Sequence, residues 1–272
     1  MGKIIVVANA QPRSGKTTTA ASLGRILQAR GIACAVLDWT PAGDLATYWG
    51  VAPLPPQPGP KDAPPLWEPP RNEAEAPDIV QVGRHEAVLV MPPGNLAMLE
   101  WQLQHTRDLA PRWHRWLRTT ADRWAVTVID TGSALGPLTA AALAVADGVI
   151  VPTMVDHAAL PLLAATLMAV QARRDRRPLT ILGVGILGYD PRDPVHVKQQ
   201  TILTTWCAAH RVPLLPGTVY RNGRLRAAPY ADDRPPFAQM RDPGGGGYAR
   251  WAEHLLDWVG ERPQAGKTGS SG

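Results

Sequence analysis

Along the chain, short runs of apolar residues alternate with longer stretches in which apolar positions recur every three or four residues. The runs at 3–8, 33–38, 86–91, 125–130, 147–152 and 180–187 are rich in Val, Ile or Leu and lack an alternating polar half. That is the signature of strands covered on both faces, because neither face meets water. Between them, 16–30, 95–108, 112–122, 137–145, 157–173, 194–209 and 248–259 carry helical spacing. Pro111 is expected to divide the 95–122 region, since a proline ring in a helix interior removes a hydrogen bond and clashes with the preceding turn. In the last segment Trp251, Leu255 and Trp258 share one face, expected to be core. The alternation predicts an α/β fold of one domain over 1–260, a mostly parallel doubly wound sheet flanked by helices.

Two stretches interrupt the pattern. Residues 51–77 hold ten prolines and few apolar anchors, which reads as an extended surface insert, partly polyproline II. A tolerated insertion and a partner-binding segment both fit it. Residues 261–272 are polar and small and are expected to be a disordered tail. Their Gly266-Lys267-Thr268 follows no strand and is no phosphate loop.

At 272 residues and 45% hydrophobic content the chain can bury a large α/β core. No apolar run reaches membrane-spanning length, and the first residues form a strand rather than a charged-then-apolar leader, so a cytoplasmic location is expected. Cys34 and Cys207 make neither a disulfide framework nor a metal set and read as small core residues. The seven histidines show no ligand spacing. Net charge is +5, which permits a polyanionic partner. Arginine outnumbers lysine 23 to 5. Guanidinium forks suit phosphate, although GC-rich coding gives the same excess.

The densest chemical signal lies at the start. The strand Ile4-Ile5-Val6-Val7 runs into Ala8-Asn9-Ala10-Gln11-Pro12-Arg13-Ser14-Gly15-Lys16-Thr17-Thr18, which opens a helix. Strand, tight loop, Gly-Lys-Thr and helix form the setting of a phosphate-binding loop, in which backbone N–H groups and the helix N-terminus gather around phosphates. Lys16 would reach the β/γ-phosphates and the Thr17 hydroxyl would ligate Mg²⁺. The first glycine of the usual pattern is Ala10 here. Two further strands end in carboxylates, Val36-Leu37-Asp38 and Val128-Ile129-Asp130. Carboxylates at strand C-termini beside such a loop are candidates for holding the metal and its water, and Asp38 and Asp130 take that role together with Lys16 as the catalytic set. An Asp ending a strand also serves as a turn or cap residue.

In the order of its parts the chain resembles the ParA/MinD family of deviant-Walker ATPases, its Soj-like partition branch most. Asn9 to Ala20 is similar to N-Q-K-G-G-V-G-K-T-T-T-A, and Asp38 to Asp44 to D-x-D-P-Q-G-N. The segment from Asp130 to Thr139 resembles D-x-P-P-S-L-G-x-L-T, and Val149 to Leu160 resembles V-L-I-P-x with E-Y-Y-A-L. Tyr189 to Arg192 matches Y-D-P-R, and Val219 to Pro229 is similar to I-P-R-N-V-R-L-x-E-A-P. The resemblance implies ATP and Mg²⁺ as cofactors, with Gln11, Pro12, Arg13, Ser14, Gly15, Lys16, Thr17, Thr18, Tyr220 and Asn222 around the nucleotide and Thr17, Asp38 and Asp130 at the metal. It also implies an ATP-dependent homodimer on non-specific DNA, nucleoid-associated, that positions a plasmid, chromosome or protein assembly through a ParB-like cargo adaptor. Amidoligases of the cobyrinic acid and dethiobiotin type share the fold and form an alternative reading, as does a pseudo-ATPase scaffold.

The chain departs from the pattern at four places. Gln11 stands at the signature lysine, and Thr40 at the second aspartate of D-x-D-P; neither neutralises phosphate charge nor serves as a base at neutral pH. Pro12 and Arg13 replace the two glycines of K-G-G, and Arg13 is either the missing cation or a solvated side chain. Slow hydrolysis is the expectation. Arg173, Arg174, Arg176 and Arg177, with Arg221, Arg224 and Arg226, are the candidate DNA contacts, since salt-dependent phosphate binding needs only such clusters. No basic amphipathic helix of the membrane-bound MinD kind is present, so DNA is expected and membrane is not. Trp113, Trp116 and Trp124, interleaved with arginines, are expected in the core.

Overall fold

The computed structural model describes residues 2–41, 43, 45, 78–82, 87–91, 96–106, 108–174, 178–221 and 243–260. The proline-rich insert, the tail, Asp44, Arg176, Arg177, Asn222, Arg224 and Arg226 lie outside the described residues, as does the side chain of Arg174.

The elements run β1 Lys3–Val7, α1 Lys16–Ala29, β2 Cys34–Trp39, β3 Asp78–Val82, β4 Ala87–Met91, α2 Leu96–His105, α3 Leu109–Ala121 and β5 Val126–Thr131. Then follow α4 Pro137–Val145, β6 Gly148–Met154, α5 Ala159–Arg174, β7 Thr180–Tyr189, α6 Pro194–Ala209, β8 Val219–Tyr220 and α7 Pro243–Val259. The strands form one sheet in the order β3-β4-β2-β5-β1-β6-β7-β8. Every neighbouring pair is parallel except β3 with β4. All six expected strands are present. The antiparallel edge strand β3 and the two-residue β8 were not expected: each lies at the sheet's margin, where few neighbours enforce an apolar run.

Each face of the sheet carries its own core, as a doubly wound sheet requires. Ala20, Leu23 and Leu27 of α1 pack with Tyr248, Trp251 and Leu255 of α7 on one side. On the other, α3, α4 and α5 cover the sheet through Trp113, Leu117, Leu138, Ala142 and Leu163. Trp39, Trp113 and Trp116 form an aromatic cluster with ring centroids 5.3–6.2 Å apart. Trp113 and Trp116 are therefore core residues, as expected. Trp251 and Leu255 are fully buried, and so are Cys34 and Cys207.

Pro111 does not end a helix. It sits in the first turn of α3, where its missing N–H would have had no intrahelical partner, and the break falls before Leu109. α7 likewise begins at Pro243, ahead of the expected position 248. Among the described residues no helix is long and apolar enough to cross a membrane.

Candidate functional site

Strand order decides where a site can form. β1 and β5 are neighbours, yet the helix after β1 packs on one face and the helix after β5 on the other. Their loops diverge and leave a crevice at the C-terminal edge of the sheet, the usual ligand position in open α/β folds. Arg13, Ser14, Gly15, Lys16, Thr17, Thr18, Thr131, Gly132 and Ser133 line it, enclosing about 370 Å³.

The loop entering this crevice is held from several sides. The Asn9 amide donates to the Pro152 carbonyl (2.7 Å) and to Thr153 Oγ1 (3.1 Å), and its Oδ1 accepts from Gln11 N (2.8 Å). Ala10 N donates to Thr166 Oγ1 on α5 (2.9 Å). Lys16 Nζ donates to the Gln11 carbonyl (3.0 Å) and to Ser14 Oγ (3.3 Å), so the ammonium lies across the loop's mouth. Gly15 caps α1 at φ +80°, a backbone conformation costly for any residue with a Cβ, and a Cβ there would also press on Leu187 at 3.2 Å. No side chain caps α1, so its first-turn N–H groups are left to the crevice.

The carboxylates arrive by register. Val7 pairs with Asp130 across β1 and β5, and Asp130 pairs with Asp38 across β5 and β2. Three strand ends thus stand level, about 4.8 Å apart, with the loop following the first and a carboxylate at the last position but one of each of the others. Asp130 is fully buried and Asp38 nearly so. This donor set fits a nucleotide triphosphate with a hard cation: N–H groups and an ammonium for phosphate, a hydroxyl and carboxylate oxygens for Mg²⁺.

The AAA domain family matches residues 2–180. This chain belongs to the ParA/MinD branch of P-loop ATPases. An uncharacterized protein of Mycobacterium tuberculosis is 32% identical over 193 residues, 70% of this chain and 59% of that relative, so the chain spans less than two thirds of its length. The chromosome-partitioning ATPase Soj of Thermus thermophilus is 29% identical over 265 residues, 94% of this chain and 96% of Soj. The structure of cobyrinic acid a,c-diamide synthase from Mycobacterium smegmatis, with an ATP analogue and magnesium bound, superposes with a TM-score of 0.73 at 23% identity, covering 97% of this chain and 98% of that one. The last likeness shows the fold.

In this ParA/MinD-family chain the departures have definite surroundings. Gln11 is buried and turned back onto its own chain: Nε2 donates to Asp156 Oδ2 (2.8 Å) and Oε1 accepts from Met154 N (3.1 Å). The loop is thereby tied to the end of β6. Sequence reasoning gave Asp156 no such role, because the pairing spans 145 residues. Thr40 donates its hydroxyl to Asp38 Oδ1 (2.7 Å), and Thr40 N (3.2 Å) and Leu45 N (3.0 Å) also donate to that carboxylate. Asp38 therefore caps its own following loop here, the turn role that a strand-ending Asp allows. Pro12 and Arg13 are exposed, and Arg13 stands at φ +56°, the left-handed region in which the family's glycine is at ease.

The remaining expected residues are scattered. Tyr220 is half-buried against Tyr189, ring centroids 5.8 Å apart, at the ends of β7 and β8. Arg221 is exposed, its N–H bound to the Tyr189 carbonyl. Arg173 is half-buried in a separate cleft with His114, seven residues along α5 from the Thr166 that touches the phosphate loop. Arg221 and Arg173 thus belong to different parts of the surface.

Proposed function

We propose that the chain is a ParA-like ATP switch: it binds Mg-ATP in the β1–β5 crevice, dimerises in that state, holds DNA non-specifically and positions or partitions a cargo. The observation that carries this reading is the level alignment of the 10–18 loop with Asp130 and Asp38. Lys16 and the first-turn N–H groups of α1 would bind the phosphates. Thr17, Asp38 and Asp130 would hold Mg²⁺, which draws charge from the phosphoryl oxygens when bound. Similarity to the partition ATPase Soj supports the cargo role, with a ParB-like adaptor as stimulating partner and the nucleoid as location.

Hydrolysis is slow in this reading. Gln11 is engaged within its own subunit, and Thr40 offers Asp38 a hydroxyl where a base would stand. Nucleotide affinity of wild type against Lys16→Ala tests the site: losing a charge-assisted phosphate contact should weaken binding about 10- to 150-fold. Equal affinities would sink the assignment. ATP-dependent light scattering and random-duplex binding test the switch. Affinity for duplex should fall steeply with salt and lose slope in Arg221→Ala, and salt-independent binding would refute DNA as the partner. A second reading, an ATP-dependent amidoligase, is favoured by the likeness to cobyrinic acid a,c-diamide synthase. ATP turnover that requires a small carboxylic acid and ammonia or glutamine would select it.

A further inference from the structure

We propose that the groove that α4 forms with α3 and then with α5, behind the 131–137 segment, docks an acidic, amphipathic segment of a partner protein, with Arg173 as its anchor. A cleft of about 390 Å³ lies between Leu103 of α2 with Ala110 and His114 of α3 on one side and Leu135 to Ala141 on the other, and Arg173 of α5 closes its end. A second of about 190 Å³ continues along α4 and α5 past Leu143, Ala169 and Ala172. The two share Leu135, Ala140 and Arg173. The result is an open, elongated groove with an arginine at its waist, a shape for a length of polypeptide rather than a compact molecule.

The charge is one-sided. Arg173 is half-buried and makes no ion pair among the described residues. Burial, and then the charge of Arg173, hold the His114 imidazole below its ordinary pKa. Two basic groups that disfavour each other across an apolar cleft become compatible once a carboxylate lies between them. Among the described residues, Glu100 sets its carboxylate against Gly136 at the groove's edge. Around this centre Leu135 is 36% exposed and Met168, one turn before Ala172, is 74% exposed. Acidic and aliphatic side chains in alternation match such a surface, with the arginine as a desolvated anchor. A DNA backbone suits it less, since phosphate contacts come from cations that project into solvent.

The position has a consequence. Residues 131–133 line the nucleotide crevice and 135–137 line this groove, so one short segment forms a wall of both. A segment docked on Leu135 and Pro137 therefore bears on Gly132 and Ser133.

The test uses the full chain without nucleotide, so it stands apart from the ATP reading. The probe is a fluorescent amphipathic peptide of Glu, Leu and Ala, with a matched peptide carrying Lys for Glu. The acidic peptide should bind, and Arg173→Glu and Ala140→Trp should each weaken it by about tenfold or more, with thermal midpoints unchanged. Arg173→Ala, the milder change, should weaken it in the same direction. On binding, the His114 titration followed by NMR should move upward. No binding of the acidic peptide, equal binding of the Lys peptide, or equal affinity in wild type and variants would overturn the proposal. Loss of duplex binding in Arg173→Glu with peptide binding intact would assign Arg173 to DNA instead.

Discussion

Arg13→Gly should make the protein more stable and a poorer nucleotide binder at once. Arg13 holds φ +56° in the phosphate loop with its side chain exposed. For an L-residue with a Cβ the left-handed region costs about 1–2 kcal/mol, a strain that glycine does not feel. Glycine returns about 0.4–1 kcal/mol of that gain through the greater freedom of the unfolded chain. The net is about 0.5–1 kcal/mol of added stability, or roughly 1–4 °C in thermal midpoint for a chain of this size. Arg13 also lines the crevice between β1 and β5 proposed to hold the nucleotide. If it supplies the cation that Gln11 cannot, its loss removes a charge-assisted phosphate contact of about 1.5–3 kcal/mol, roughly 10- to 150-fold in affinity. Arg13→Ala separates the two effects, since it keeps the strain and drops the charge: affinity should fall equally while the midpoint stays near wild type. Differential scanning fluorimetry and titration with a fluorescent ATP analogue measure both. A glycine variant no more stable than wild type refutes the strain, and undiminished affinity in both variants makes Arg13 a solvated loop residue.

Three further outcomes follow from geometry. Asp147 accepts from Ile4 N (2.8 Å) and from both Nη atoms of Arg118, each side chain 18% exposed; Asp147→Ala should cost about 3–5 kcal/mol in urea unfolding and Asp147→Asn clearly less, since an amide oxygen still serves Ile4 N, so equal costs would refute this account. Thr40→Asp sets a second carboxylate against Asp38 Oδ1, where like charges disfavour each other; its thermal midpoint should drop without Mg²⁺ and gain more than wild type from Mg-ATP, and an unchanged midpoint would count against the Thr40–Asp38 contact. The folded-state pKa of His114 is lowered, so the unfolded chain binds the proton more readily and stability falls as pH drops below about 6.5; Arg173→Ala removes the second cause of the lowering and should make that fall shallower, which unfolding between pH 7.5 and 5 would measure.

The central strands, the Gly-Lys-Thr loop and the buried tryptophans were legible in the sequence because each is a local signature. A doubly covered strand must be apolar throughout, a phosphate loop must lie between strand and helix, and Trp113 and Trp116 recur at helical spacing. Asp38 and Asp130 were legible as strand ends but not as neighbours, since pairing β2 with β5 and β5 with β1 depends on a strand order that no local pattern encodes. Long-range hydrogen bonds were invisible for the same reason. The Gln11–Asp156 contact that turns Gln11 inward joins groups 145 residues apart, and Arg173 and His114 share a groove only because α3, α4 and α5 pack on one face of the sheet. The sequence by itself determined which residues make the central strands and the bodies of the helices, and which chemistry the chain carries, because backbone propensity and apolar period act over a few residues. Only the tertiary structure decided which groups meet, because strand order and helix packing are chosen by burying two faces of one sheet at once.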